Sequence, residues 1–196
     1  MSKNNSIDKE LVIIAGPNGS GKSTLASNLV LPKPFINADM YAKNKYAHIA
    51  NEQERAILSS FAVAQKIKEC IALQKSFAFE TVFAVDKLPQ FVLAAKKNNY
   101  YITLHFVALE NVLNNIERVA KRVSQGGHNI ATDLIKTRHS KTMALLPQLL
   151  SVSDRAILYD NTGKSMLPFL VKEENEFKIL DDIPTWALAT LGQLQT

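Results

Sequence analysis

Leu11-Val12-Ile13-Ile14-Ala15-Gly16-Pro17-Asn18-Gly19-Ser20-Gly21-Lys22-Ser23-Thr24 is the stretch that decides the fold. Leu11–Ala15 is an apolar, β-branched run and reads as a buried strand. Gly16–Ser23 fits the pattern G-x-x-x-x-G-K-[ST]. Gly21–Val30 reads as a helix, closed by Pro32 and Pro34. A strand, a glycine-rich turn and a helix in this order make a phosphate-binding loop. The glycines let backbone N–H groups turn toward phosphate oxygens, and the helix aims the positive end of its dipole at them. Gly16, Pro17, Asn18, Gly19, Ser20, Gly21 and Thr24 are therefore expected around ATP. Lys22 is expected on the β- and γ-phosphates and Ser23 on magnesium.

Outward from that loop, apolar runs alternate with helical patterns. Phe35–Asn37, Ser76–Glu80, Tyr101–Leu109 and Arg155–Tyr159 read as further strands. Asn51–Gln74 reads as a long amphipathic helix with Ile57, Phe61, Ala64, Ile67 and Ile71 on its apolar face. Leu88–Lys97 and Asn111–Ser124 read as helices, the second with Val112, Ile116, Val119 and Val123 as its stripe. Another helix starts near Thr132 and is expected to stop or kink at Pro147. After Met166, Phe169–Lys172 and Glu176–Ile179 read as a C-terminal hairpin and Trp186–Gln193 as a last helix. Apolar strands separated by helices predict an α/β, P-loop NTPase fold. Its sheet has five mostly parallel strands with helices on both faces. Residues 1–196 then form one domain, with a small helical lid over about 122–138.

Composition narrows the function. A chain with 46% hydrophobic and 21% charged residues can build a packed core, which argues against disorder. Its net charge of +5 suits an anionic partner such as ATP, a sugar nucleotide or nucleic acid, without choosing among them. Lysine and arginine are spread along the chain rather than clustered, which argues against nucleic acid as the partner. Cys70 is the lone cysteine, so no intrachain disulfide forms, and its apolar surroundings place it in the core. No stretch has the length of a membrane span and the first residues lack a leader's apolar run, so a cytoplasmic protein is expected.

Ligands of such sheets sit at the carboxyl ends of the strands, and chemistry-bearing residues follow those ends. Asp39, just past the second strand, reads as a base for an attacking hydroxyl or an aid to magnesium. It reads equally as the N-cap of a helix starting at Met40. Glu80 ends the third strand, where it would bind substrate hydroxyls or waters on magnesium, unless it is only a solvated strand end. Arg118 and Arg122 share a helix face, Gly126-Gly127 breaks that helix as a hinge, and Arg138 follows on the next. Arginines around a closing loop would neutralise charge on a transferring phosphoryl group. His128 would touch phosphate or cap the turn. Asp160-Asn161-Thr162-Gly163 is a tight turn that places Asn161 beside the nucleotide base.

Taken together, GPNGSGKST, INAD, FET, ERVAKRVSQGGHNI and YDNTG, within residues 11–165, resemble the zeta toxin family of P-loop kinases and its shorter chromosomal relatives. The resemblance implies ATP- and magnesium-dependent phosphorylation of the sugar in a UDP-activated amino sugar, and an antitoxin protein as partner. By it, Lys22 and Ser23 serve ATP and magnesium, and Asp39 is the base. Glu80 and Thr81 bind substrate, with Arg118 and His128 nearby, while Arg122 and Arg138 clamp phosphate. Two other expectations stay open: a polynucleotide or other hydroxyl kinase, and an ATP-binding regulatory component without small-molecule turnover.

Overall fold

The computed structural model describes residues 8–84, 88–127 and 129–192. Strand β1 (Glu10–Ala15) lies between β3 (Phe77–Thr81) and β4 (Tyr101–Ala108), with β2 (Phe35–Asn37) outside β3 and β5 (Arg155–Asp160) outside β4. All of these pairings are parallel. The expected five-stranded parallel sheet is therefore present. The expected hairpin, β6 (Leu167–Glu173) and β7 (Glu176–Ile179), does not stand apart from it. It continues the same sheet in antiparallel sense beyond β5, giving seven strands.

Parallel strands need crossovers, and helices supply them: α1 (Lys22–Ser27), α2 (Ala38–Asn44), α3 (Glu52–Ala72), α4 (Leu88–Lys97), α5 (Val112–Ser124) and α6 (Thr132–Val152), with α7 (Thr185–Gly192) at the end. Side chains alternate across each strand. Leu11, Ile13, Phe77, Phe79, Leu104 and Phe106 face one way, into a core shared with α3, α4, α6 and α7, and Cys70 belongs to it. Val12, Ile14 and Ala78 face the other way, under Ala26 of α1 and the Leu29–Phe35 segment. The strand ends that carry Gly16, Asn37 and Glu80 are thus gripped on both faces.

Two helices depart from their sequence patterns. Ile57 and Phe61 of α3 are 63% and 61% exposed, whereas Ser59, Ala62, Ile67, Cys70 and Ile71 are buried. Helix α3 packs on the short α2 as well as on α4 and β2, and its covered face is narrower than the apolar pattern implies. Helix α6 runs through Pro147 instead of stopping there. A proline inside a helix costs about 3 kcal/mol, but burying one leucine returns about 1.5–3 kcal/mol. Leu146, Leu149 and Leu150 are all buried around that proline, so packing wins.

Among the described residues, the expected lid region consists of the C-terminal turn of α5, the non-helical residues 125–127 and 129–131 and the start of α6. Gly126-Gly127 ends α5 as a Schellman cap. The Gly127 N–H donates to the Arg122 carbonyl and the Gly126 N–H to the Val123 carbonyl, with Gly126 at φ 85°. His128 lies outside the described residues.

The α3 burial pattern is testable. Ile67→Ala should cost about 2–5 kcal/mol of unfolding free energy, and Ile57→Ala less than about 0.5 kcal/mol. Urea denaturation midpoints of the two variants should separate accordingly.

Candidate active site

The loop after β1 is shaped by close approaches that exclude side chains. A Cβ at Gly16 would meet the Val107 carbonyl oxygen at 2.1 Å, and one at Gly21, where φ is 106°, would meet the Asn161 amide nitrogen at 2.5 Å. Two amides fasten the loop from outside. Asn115 Nδ2 donates to the Asn18 carbonyl at 2.7 Å and Asn161 Nδ2 donates to the Ser20 carbonyl at 2.7 Å. Asn161 is itself held, because a guanidinium nitrogen of Arg118 donates to its carbonyl at 2.7 Å. Asn161 and Arg118, expected at base and substrate, thus both brace the loop. The fully buried Asn115 escaped the sequence reading. Its signal was a polar residue inside the stripe formed by Val112, Ile116 and Val119.

Lys22 is buried at the start of α1, and its ammonium donates to the Pro17 carbonyl at 2.9 Å. Ser23 and Thr24 follow on the exposed first turn. The Ser23 hydroxyl donates to Glu80 Oε1 at 2.9 Å. Its lone pairs are therefore left for another ligand. Glu80 lies beside Asn37 in the β2–β3 register, and Asn37 Nδ2 donates to Glu80 Oε2 at 2.8 Å. Glu80 is thus no mere solvated strand end. Thr81 follows it, and its hydroxyl oxygen accepts the Phe83 N–H at 3.0 Å.

The helix cap next to this carboxylate corrects one alternative. The N-cap of α2 is Asn37, whose side-chain oxygen accepts from the Asp39 and Met40 N–H groups. Asp39 is the exposed second residue of the helix, with its carboxylate free of capping duty.

Charge concentrates here. Burial pulls the Lys22 ammonium from its ordinary 10.5 down to about 8; Glu80 and Asp39 oppose that pull and Arg122 adds to it. Burial also lowers the pKa of Arg138, while Asp39 raises it. The sheet ends and the α5–α6 pair therefore bring Lys22, Asp39, Glu80, Arg122 and Arg138 into one electrostatic neighbourhood. Arg118 sits one turn before Arg122 but is turned to Asn161.

A hydroxyl and a carboxylate at the phosphate end of the loop are hard oxygen donors of the kind magnesium takes, alongside phosphate oxygens. Among the described residues, no group of three or more His, Cys, Asp or Glu side chains gathers to hold a metal. No helix among the described residues is long and apolar enough to cross a membrane.

No family model matches the chain. An uncharacterized protein of Haemophilus influenzae is 29% identical over 140 residues, covering 68% of this chain and 94% of its own. Among solved structures, a chain of the AvrRxo1-ORF1:AvrRxo1-ORF2 complex with ATP superposes with a TM-score of 0.70 at 11% identity. The match covers 90% of this chain and 62% of that one, so this chain spans less than two thirds of its neighbour. A chain of the PezAT chromosomal toxin–antitoxin system of Streptococcus pneumoniae gives 0.58 at 15% identity, covering 98% and 80%. A chain of the Pnkp1/Rnl/Hen1 RNA repair complex gives 0.57 at 16%, covering 86% and 51%. The fold is that of the P-loop kinases.

The depressed Lys22 pKa makes ATP affinity depend on pH with a definite sign. A triphosphate beside Lys22 restores the proton that burial disfavours, so binding takes up a proton above pH about 8. Affinity should be flat in this respect below pH about 8 and fall up to about tenfold per pH unit above it. Calorimetry in two buffers of different ionisation enthalpy should find proton uptake approaching one per ATP on the alkaline side. No uptake there would contradict the burial of Lys22.

Proposed function

We propose that this chain is an ATP-dependent kinase that transfers the γ-phosphoryl group to a hydroxyl of a small molecule, in the manner of the zeta toxin kinases it resembles. The observation that carries this reading is the exposed Asp39 carboxylate. It is released from capping by Asn37 and lies close enough to Lys22 and Arg138 to alter the proton affinity of both. A nucleotide binder or regulatory ATPase has no need of a carboxylate there; an acceptor hydroxyl does.

In this reading the acceptor O–H gives its proton to Asp39 as its oxygen bonds to the γ-phosphorus. The bond from that phosphorus to the β–γ bridging oxygen breaks, and ADP leaves. Lys22, Arg122 and Arg138 neutralise charge on the phosphoryl oxygens. Ser23 and Glu80 would hold magnesium, which screens phosphate charge when bound. Glu80 then takes the place of the carboxylate that P-loop proteins set opposite the loop's Ser or Thr. Thr81 borders the acceptor's side.

For the acceptor, the resemblance supports the sugar of a UDP-activated amino sugar. The structural likeness to a chain of an RNA repair complex is the observation favouring a polynucleotide 5′-hydroxyl as the second reading. The scattered distribution of Lys and Arg weighs against it. A protein partner that controls the site belongs to the same proposal, supported by likeness to chains of two-protein systems.

Transfer from γ-labelled ATP should be measured with UDP-N-acetylglucosamine, nucleosides and a 5′-hydroxyl oligonucleotide. Label in the sugar nucleotide is expected, and label in the oligonucleotide would replace this acceptor with the second. Asp39→Asn should bind magnesium-ATP almost as wild type does and lose about 10²–10⁴ in transfer rate, the usual contribution of a general base. Undiminished transfer would remove Asp39 from the chemistry.

A further inference from the structure

Asn37 has no chemistry of its own, yet its amide reaches both acidic residues of the site. The parallel register of β2 and β3 sets it directly beside Glu80. Its Oδ1 accepts the Asp39 N–H at 2.7 Å and the Met40 N–H at 3.4 Å. With two backbone donors on that side, the amide has one orientation, and Nδ2 must face Glu80 Oε2, at 2.8 Å. A flipped amide would oppose donors to donors and an oxygen to a carboxylate. The other Glu80 oxygen accepts from Ser23. A continuous path of hydrogen bonds thus runs from Ser23 through Glu80 and Asn37 to the backbone of Asp39.

Packing holds α2 through the half-buried Tyr41, which rests against the main core, and through α3, but not at Asp39 itself. Helix α2 has no buried residue, and Asp39 sits on its exposed first turn. We propose that Asn37 is a positioning residue for phosphoryl transfer. By this single amide it ties the helix that carries Asp39 to the carboxylate that faces Ser23, so that the acceptor's base and the phosphate groups share one frame. The proposal rests on the kinase reading above. It has a quantitative edge, because a misplacement of about 1 Å in a reacting pair can cost about 10²-fold in rate.

If Asn37 were only a helix cap, serine or aspartate would replace it with little loss, since the three cap almost equally well. Neither supplies the N–H to Glu80. Aspartate presents an acceptor in its place, and the serine hydroxyl is too short to cap α2 and reach Glu80 at once. Asn37→Ser and Asn37→Asp are therefore compared with wild type for thermal melting, for KM of magnesium-ATP and for kcat, with UDP-N-acetylglucosamine and with water as acceptors. Asn37→Ser should melt within about 3 °C of wild type, which separates lost transfer from lost folding. KM for ATP should stay within about threefold, while kcat falls about 10- to 100-fold in both variants. Wild-type kcat in Asn37→Ser and Asn37→Asp would reduce Asn37 to a cap and overturn the proposal. A rise in KM matching the loss in kcat would also overturn it, by moving the effect to the nucleotide. A wild-type protein that binds magnesium-ATP but transfers phosphate at most to water, and to none of the sugar nucleotide, nucleosides and 5′-hydroxyl oligonucleotide, would sink the kinase reading, and this proposal with it. That outcome is visible before any variant is made.

Discussion

Two side-chain amides, each on a backbone carbonyl, hold the glycine-rich loop after β1 in shape, and much of the structure keeps them there. Asn115 fixes the carbonyl of Asn18 and Asn161 that of Ser20. In a trans peptide the C=O and the following N–H point in opposite directions. Pinning those carbonyls outward turns the Gly19 and Gly21 N–H groups the other way, as a concave anion site requires. The supports have supports. Arg118 holds the Asn161 carbonyl, the Thr162 hydroxyl donates to Asp160, and the Trp186 indole N–H donates to Asp160 at 3.0 Å. Trp186 also rests against Phe106 and Phe169. The C-terminal hairpin and helix, whose purpose the sequence leaves open, thereby become the outer bracing of the β5 turn and, through it, of the loop.

This rigidity works against the fold at one point. Lys22 is held in a buried place where its proton affinity drops from 10.5 to about 8. Between those values the unfolded chain binds more protons than the folded one, so the lysine's contribution to stability improves as pH rises through that window. At neutral pH the protein carries a charge it would rather hydrate. Asn18 Oδ1, Ser20 Oγ and Asn115 Oδ1 are likewise buried without a hydrogen-bond partner among the described residues. An unsatisfied buried polar atom costs about 1–3 kcal/mol. Strain and unmet polar groups of this kind concentrate where a site is preorganised for a ligand rather than for its own stability.

The parts legible in the sequence were those whose physics is local. Glycines at Gly16 and Gly21, a lysine and a serine at fixed spacing, and β-branched runs between helical stripes gave the loop, the parallel sheet and the strand ends that carry Asp39 and Glu80. What escaped depends on register or on packing. Asparagine at a strand end reads as a turn or a cap, and only the pairing of Asn37 with Glu80 shows its second role. Asn115 became visible as a loop clamp only once α5 was laid against Gly19. The α3 stripe misled because apolar spacing says which residues share a face and not how wide a neighbour covers it. Pro147 misled because a local penalty was outweighed by burial elsewhere.

The two walls of the cleft are consequently built on different terms. On the β1, β4 and β5 side, amides and glycine close contacts hold the loop, and few substitutions there keep its geometry. On the β2 and β3 side, a seven-residue helix without a buried side chain carries Asp39. Exposed Met40, Ile57 and Phe61 lie on the same α2–α3 pair. A wall with so many exposed side chains can change its surface residues without disturbing the glycine-rich loop opposite. In the kinase reading proposed above, nucleotide binding and acceptor choice would therefore be separable. That reading requires the Asp39 carboxylate of one wall to keep its distance from phosphates held by the other. Tyr41 and α3 pack that helix in place, and the hydrogen bond from Asn37 to Glu80 adds a link across β2 and β3.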